Sequence, residues 1–454
     1  RTVPSSGKWK DSMKLIEAWR LDQIEGLFPD EDPTGHLVEQ FPRLAEYYNN
    51  VRRYGDTALA EYLAMEGLSL EDIMISVNRT EEEDEEDLPD GMDEEYLAAV
   101  EQAITRIINF YQHEKIQSWF VTGEHDELIG QKFNPIERVA VLMPKTWQFA
   151  PITLMMSIIP AIIAGVKELY INLPPSLPGE NDCARGDSLF LWICKKLGIS
   201  QIFRLPEIPA VFAFALGTQH IPRVDKLVGA GSIDVMSAAA IVSTSVGVKV
   251  LPDRNETVII CDETGNEKFV VADIFAAAED PNLHRVTILT TSTVKATEIT
   301  AEITRQLKES PNSQHIKELL STSGAIVLTK DVEEALVLVG KYPPKYLSLF
   351  VKHPLELLAR VRDAGVLYLG DYSPAGMENY FASSSNLIPS GRCCRFSSPL
   401  DVYDFLKKTS VVHYTKRQVE HVYNMINTLA VKDNLPFHRE SFRIRMEKPG
   451  GVLP

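Results

Sequence analysis

Residues 138–175, RVAVLMPKTWQFAPITLMMSIIPAIIAGVKELYINLPP, decide how this chain folds. The run RVAVLMP is short, apolar and closed by a proline, the pattern of a strand covered on both faces. Residues 149–166 carry no charge at all. Pro151 and Pro160 interrupt that run and Thr153 and Ser157 dilute it, so it reads as a helix buried in a core and not as a membrane span. ELYINLPP then supplies a second buried strand. Strand, buried helix and strand in succession predict a parallel α/β unit.

Working outward, the alternation continues. DSLFLWICKKLGIS (187–200) reads as a helix, QIFRLP (201–206) as a strand, PAVFAFALG (209–217) as a helix and DKLVGAG (225–231) as a strand and turn. A second series follows. VKVLP, TVIICDE, RVTILTTS, AIVLTK, YLSLFVK and VLYLGDY read as strands, separated by helices at KFVVADIFAAAED, 295–309, 314–321, DVEEALVLVGKY and PLELLARVRDAG. The expected fold class is α/β, with two doubly wound, Rossmann-like parallel-sheet domains. Helical extensions are expected at both ends. MKLIEAWRLDQIEGLF, HLVEQFPRLAEYYNNVRRYGDTALAEYLA and DEEYLAAVEQAITRIINFYQHEKIQ show apolar residues at three and four spacing, and LDVYDFLKK and KRQVEHVYNMINTLAVKD do so in the tail. The expected division is a helical segment 1–130 with an acidic loop at 79–95, a first Rossmann-like domain 131–250, a second 251–375, and a helical tail 376–454.

Composition narrows the function classes. The chain has 454 residues, 44% hydrophobic and 24% charged, and a formal net charge of −17. That charge argues against nucleic acid and anionic membrane as partners. Eleven of the acids lie in residues 81–95, EEEDEEDLPDGMDEE, with no base among them. This run reads as a solvated loop, with partner docking as the sharper alternative. The five cysteines form no CxxC pair, and with no signal-peptide pattern visible they predict a reduced, cytoplasmic protein. Neither GxGxxG, GxxxxGK[ST] nor HExxH occurs. Gly229-Ala230-Gly231 is the nearest glycine feature and reads as a strand-to-helix turn.

The order and wording of the segments resemble the histidinol dehydrogenase family. The matching stretches are RVAVLMP, IPAIIAGVKELYI, FALGTQHIPRVDKLVGAG, VVADIFAAAED, SGAIVLTKDVEEAL, RDAGVLYLGDYSP, LDVYDFLKKTSV and HRESFRIRME, running from about residue 10 to 447. The resemblance implies an intertwined homodimer whose C-terminal tail completes the partner's site. It also implies an enzyme that oxidises an amino alcohol in two NAD-dependent steps, with zinc holding the substrate and a Glu-His pair as base.

Residue by residue, the implied chemistry departs from that pattern. Two metal ligands of the family fall on a motif like SQAEH; here AAAED puts Ala277 and Asp280 at those positions. A third falls on Asn379 in SPAGMENY, and the fourth on His438 in the tail. Asp280 and His438 are thus the remnants of a metal set, and no metal is expected. The Glu-His pair of the family falls on Lys345 and Tyr346 in YPPKYL. A lysine ammonium has no lone pair and a phenol is neutral at pH 7, so neither replaces the base as it stands. Two readings stay open there: structural replacement, or a repurposed pair in which Lys345 lowers the Tyr346 pKa. The substrate pocket would comprise Asn255, Asn379, Asn386 and Asp433. The NAD-contacting positions fall on Leu142, Pro209 and Ser232, and the loop glycines after the first strand on Lys145 and Thr146. No cofactor is therefore expected.

Three functions remain open from the sequence. The first is a non-catalytic binding or structural subunit. The second is an enzyme of altered, zinc-independent chemistry in the same cleft. The third is an NAD- and zinc-dependent histidinol dehydrogenase with an atypical site.

Overall fold

The computed structural model describes residues 13–17, 33–65, 67–76, 92–144, 150–175, 183–310, 313–380 and 387–446. In chain order the strands are β1 (Lys14–Glu17), β2 (Met74–Ser76), β3 (Trp119–Thr122), β4 (Leu128–Pro135), β5 (Arg138–Leu142), β6 (Glu168–Asn172), β7 (Gln201–Phe203) and β8 (Lys226–Gly231). They continue as β9 (Gly247–Pro252), β10 (Asn255–Cys261), β11 (Leu283–Thr290), β12 (Gly324–Leu328), β13 (Tyr346–Phe350), β14 (Val366–Leu369) and β15 (Leu406–His413). The α-helices are α1 (Pro33–Tyr54), α2 (Asp56–Met65), α3 (Glu94–Gln112), α4 (Ala150–Ala164), α5 (Cys183–Lys196), α6 (Glu207–Leu216) and α7 (Ile233–Val242). After them come α8 (Glu267–Ala277), α9 (Thr293–Glu309), α10 (Ser313–Ser323), α11 (Val332–Lys341), α12 (Lys416–Lys432) and α13 (Pro436–Met446).

The α/β expectation holds. The first sheet has the order β2-β7-β6-β5-β8-β9 and is parallel except for β2. The second has the order β1-β12-β11-β10-β13-β14 and is parallel throughout. In both, an earlier segment supplies one edge strand (β2 or β1), and the remaining five strands start at the centre, step twice to one side, then cross and step twice to the other. Each sheet therefore has a switch point, β5|β8 in the first and β10|β13 in the second.

Alternation on the central strands fixes both cores. Val139 and Val141 of β5 face a cluster containing α3 and α4, while Ala140 and Leu142 face one containing α1, α2, α6 and α7. On β10, Ile259 and Cys261 face α8 to α10, and Val258 and Ile260 face α11. The uncharged stretch becomes α4, with Leu154, Met155, Met156, Ile158 and Ile159 buried between α3 and the first sheet. Among the described residues no helix is long and apolar enough to cross a membrane.

Several readings of the extensions are corrected. Lys14–Glu17, read as helical, is a strand that pairs in parallel with β12. The segment 1–130 also contributes β2 and β3, and β4 opens within it. LDVYDFLKK is a short 3-10 turn over Val402–Phe405 that runs into β15, and β15 pairs antiparallel with β4, which pairs with β3. The tail is therefore a strand followed by α12 and α13, not helical throughout. PLELLARVRDAG forms only a 3-10 helix, Pro354–Arg360. Residues 81–91 of the acidic run lie outside the described residues. Asp93 caps α3, its side chain accepting from Tyr96 N at 2.7 Å, and Glu94 and Glu95 fill the first turn, where the helix dipole favours acids.

Candidate active site

The N-terminal ends of β10, β11 and β13 and the C-terminal end of α8 surround a cleft lined by Asn255, Thr257, Asp280, Tyr346, Ala375 and Gly376, among others. Three of the expected residues meet here through one hydrogen-bonded chain. Lys345, buried just before β13, donates from Nζ to Oδ1 of Asn255. Asn255, the first residue of β10, donates from Nδ2 to the Asp280 carboxylate. Asp280 also accepts from the backbone N–H of Asn282 at 2.8 Å. The amide thus has its oxygen fixed on the cation and its nitrogen on the anion, which assigns its flip.

Tyr346 lines the same cleft. Its ring centroid lies 5.2 Å from Lys345 Nζ and 6.4 Å from the Tyr368 ring. Cys394 sits against Pro344, the residue before Lys345. Cys394 donates its thiol proton to the carbonyls of Pro344 at 3.4 Å and Pro389 at 3.1 Å, and burial together with Glu256 pushes that thiol up to about 12. An inert structural thiol is the consequence.

The remaining expected residues divide. Ala277, as a methyl group, lines the cleft. Asn379 ends a short 3-10 helix, Ala375–Asn379, whose first residues line the cleft. Asn386, Lys145 and Thr146 lie outside the described residues. Asp433 is the C-cap of α12 and His438 sits in α13; both are exposed, and neither lines the cleft. Leu142 and Pro209 are core residues against the first sheet. Ser232 caps α7, its side chain accepting from Val235 N.

Two acidic groups escaped the sequence reading. Asp273, on the buried side of α8, accepts from Ala375 N at 3.5 Å. Burial raises its pKa to about 6, with the Ala375 bond opposing the shift. A carboxylate inside the apolar word FVVADIF was its signal, since Val270, Val271 and Ile274 around it are buried. Asp234, in the first turn of α7, accepts from His36 at 2.7 Å and Arg43 at 2.6 Å, both on α1. Burial opposes ionisation there, but the His36 and Arg43 bonds outweigh it and hold the carboxyl below its usual range. The helix N-terminus at the edge of the first sheet, a natural anion site, thus already has a carboxylate of its own.

One polar group of the cleft has no internal partner: Thr257 Oγ1 is buried without a hydrogen bond among the described residues. For a metal, the described lining offers the Asp280 carboxylate, an amide already bonded at both ends, and hydrocarbon from Ala276 and Ala277.

Comparison with known proteins places this geometry. A solved structure, histidinol dehydrogenase from Elizabethkingia anophelis, superimposes with a TM-score of 0.82 at 22% identity, covering 96% of this chain and 98% of that one. The likeness establishes a shared fold. The sequence is 33% identical over 406 residues to the histidinol dehydrogenase of Bacillus cereus strain ATCC 10987, covering 89% of this chain and 92% of the relative. It is 32% identical over 419 residues to that of Geobacter metallireducens, covering 92% and 94%. The histidinol dehydrogenase family model matches residues 36–446, which takes in both sheets' central strands and the tail helices. A family model over residues 36–446 and relatives aligned over 89–92% of the chain leave a single assignment: the chain belongs to the histidinol dehydrogenase family.

Proposed function

We propose that this protein is a family member that no longer performs zinc- and NAD-dependent histidinol oxidation and serves as a non-catalytic binding or structural subunit. The observation that carries this reading is the chain from Lys345 through Asn255 to Asp280. A zinc ion needs three or four nitrogen, oxygen or sulfur donors. The described lining supplies one carboxylate, already bonded to two donors and set opposite a buried ammonium, so these groups do not fit zinc. A base at Lys345 would have to shed the proton that Asn255 holds in place. Leu142 and Pro209, as buried hydrocarbon, offer a dinucleotide no hydrogen bonds.

The test is direct. The full chain is incubated with L-histidinol, NAD and zinc, and NADH formation is followed. The expected result is no rate above that of the protein-free mixture. Zinc-dependent turnover would overturn the proposal and favour the ordinary dehydrogenase that the names of the relatives imply.

A second reading, altered chemistry without zinc, is favoured by the unpartnered Thr257 hydroxyl and by Asp273, whose pKa of about 6 suits proton transfer near neutrality. A ligand retained in the cleft through purification would support it.

The proposed assembly is a homodimer. Exposed apolar side chains lie on β3 (Trp119, Phe120) and on α12 and α13 (Met425, Leu429, Phe437). Light scattering should give twice the mass of one chain. The excess of acids and the free, buried Cys194 and Cys261 fit a reduced cytoplasmic setting without nucleic acid or membrane partners.

A further inference from the structure

Far from the cleft, the β3–β4 hairpin turn meets the start of α12. Thr415 joins them: it caps α12 by accepting from Gln418 N at 3.2 Å and donates its hydroxyl to the carbonyl of His125 at 2.6 Å. This brings two imidazoles together. The rings of His125 and His421 have centroids 4.2 Å apart, with planes inclined at 54°. Gln418, one turn before His421, shares its helix face.

Two donor atoms in this group are orphaned. His125 Nδ1 and Gln418 Oε1 are both buried and have no hydrogen-bond partner among the described residues. A buried polar atom left without a partner costs about 1–3 kcal/mol, and native structures seldom leave one without a ligand, water or ion. His125 Nδ1 belongs to a ring packed on a second imidazole, and Gln418 lies on the same helix face as that imidazole, so one occupant that accepts lone pairs would serve both atoms. A water could bridge two of these groups; a cation would take lone pairs from both imidazoles and the amide oxygen at once.

We propose that His125, His421 and Gln418 form a binding site for a first-row divalent cation of the zinc type. Imidazole is the ligand that zinc, nickel and copper favour, with Zn–N bonds of about 2.0–2.1 Å. The amide oxygen of Gln418 is a third donor, and water completes the shell. The turn supplies the balancing charge: Glu124, Asp126 and Glu127 are consecutive with His125, and Glu127 accepts from the His125 backbone N–H at 3.0 Å. Among the described residues no three His, Cys, Asp or Glu side chains gather for a metal, here or elsewhere, so the amide of Gln418 has to serve as the third donor. Its effect would be to fasten the hairpin to the tail.

The site is independent of the cleft chemistry proposed above, and the experiment keeps the two apart. Metal-free full-length protein is titrated with zinc chloride, reading bound zinc by calorimetry and the unfolding midpoint in parallel. The expected result is one equivalent bound with a rise in the midpoint, and binding weakened more than tenfold in His125→Ala and in His421→Gln. Asp280→Asn and His438→Gln should leave it unchanged. His421 is exposed, so its variant folds and carries the test if His125→Ala does not. Zinc binding that survives His421→Gln, or that disappears in Asp280→Asn, overturns the proposal, as does the absence of zinc binding by the wild-type chain.

Discussion

Asn255 holds Lys345 by its amide oxygen and Asp280 by its amide nitrogen, so one neutral side chain separates a buried cation from an anion. Removing the amide takes a hydrogen bond from a buried ammonium and another from a carboxylate, whereas removing the ammonium takes a donor only from a carbonyl oxygen. A bond lost by a buried charged group costs more than one lost by a neutral group. Asn255→Ala should therefore lower stability by about 2–3 kcal/mol, and Lys345→Met by about half as much. Urea denaturation of both variants measures the order; equal losses would refute the relay.

Asp273 makes the protein's stability depend on pH in a defined direction. Its carboxyl titrates near 3.8 when free and at about 6 in the fold. The folded state thus holds the extra proton between those values, and stability falls as pH rises through that window. Asp273→Asn should keep the acceptor for Ala375 N, flatten this part of the profile and raise stability above pH 6 by roughly 2 kcal/mol. Unfolding midpoints taken from pH 4 to 7.5 check it.

Asp234 works with the opposite sign. Held below the usual carboxylate range by His36 and Arg43, it contributes stability above its unfolded pKa, and that contribution is lost as pH falls through the lower folded value. The ion pair is partly exposed, so Arg43→Ala should cost no more than about 0.5–1 kcal/mol at neutral pH. Its effect should vanish in acid, as a double-mutant cycle with Asp234→Asn at two pH values would register.

At the switch point of the first sheet, Gly229 has φ +143°, and a Cβ built on it would lie 2.1 Å from the Leu142 carbonyl oxygen. Side chains cannot adopt this backbone cheaply, and the oxygen belongs to the neighbouring strand. Gly229→Ala should destabilise by about 3 kcal/mol or more, lowering the midpoint without changing the far-ultraviolet circular dichroism of the surviving fold.

The parallel cores were legible because their strands are apolar on both faces, and the strand RVAVL and the helix α4 announce themselves by composition alone. Edges were not. Lys14–Glu17 sits in a window whose apolar spacing suits a helix, and only pairing with β12 makes it a strand. β15 is exposed along almost its whole length, so it carries no alternation to read. The positions of Lys345, Asn255 and Asp280 were legible through the family resemblance. Their mutual bonds were not, because the three side chains come from separate strands and a helix end brought together by the sheet. His125 and His421 are likewise far apart in sequence and meet only once the tail folds back.

The pairing of Lys14 with Ala325 also orders events during synthesis. β1, the first strand among the described residues, cannot take its place until β12 has emerged, so it waits while the strands of the first sheet are made. Contacts of such long sequence separation are slow to form. In a nascent chain β1 is therefore held out of the second sheet until residues 324–328 have been made.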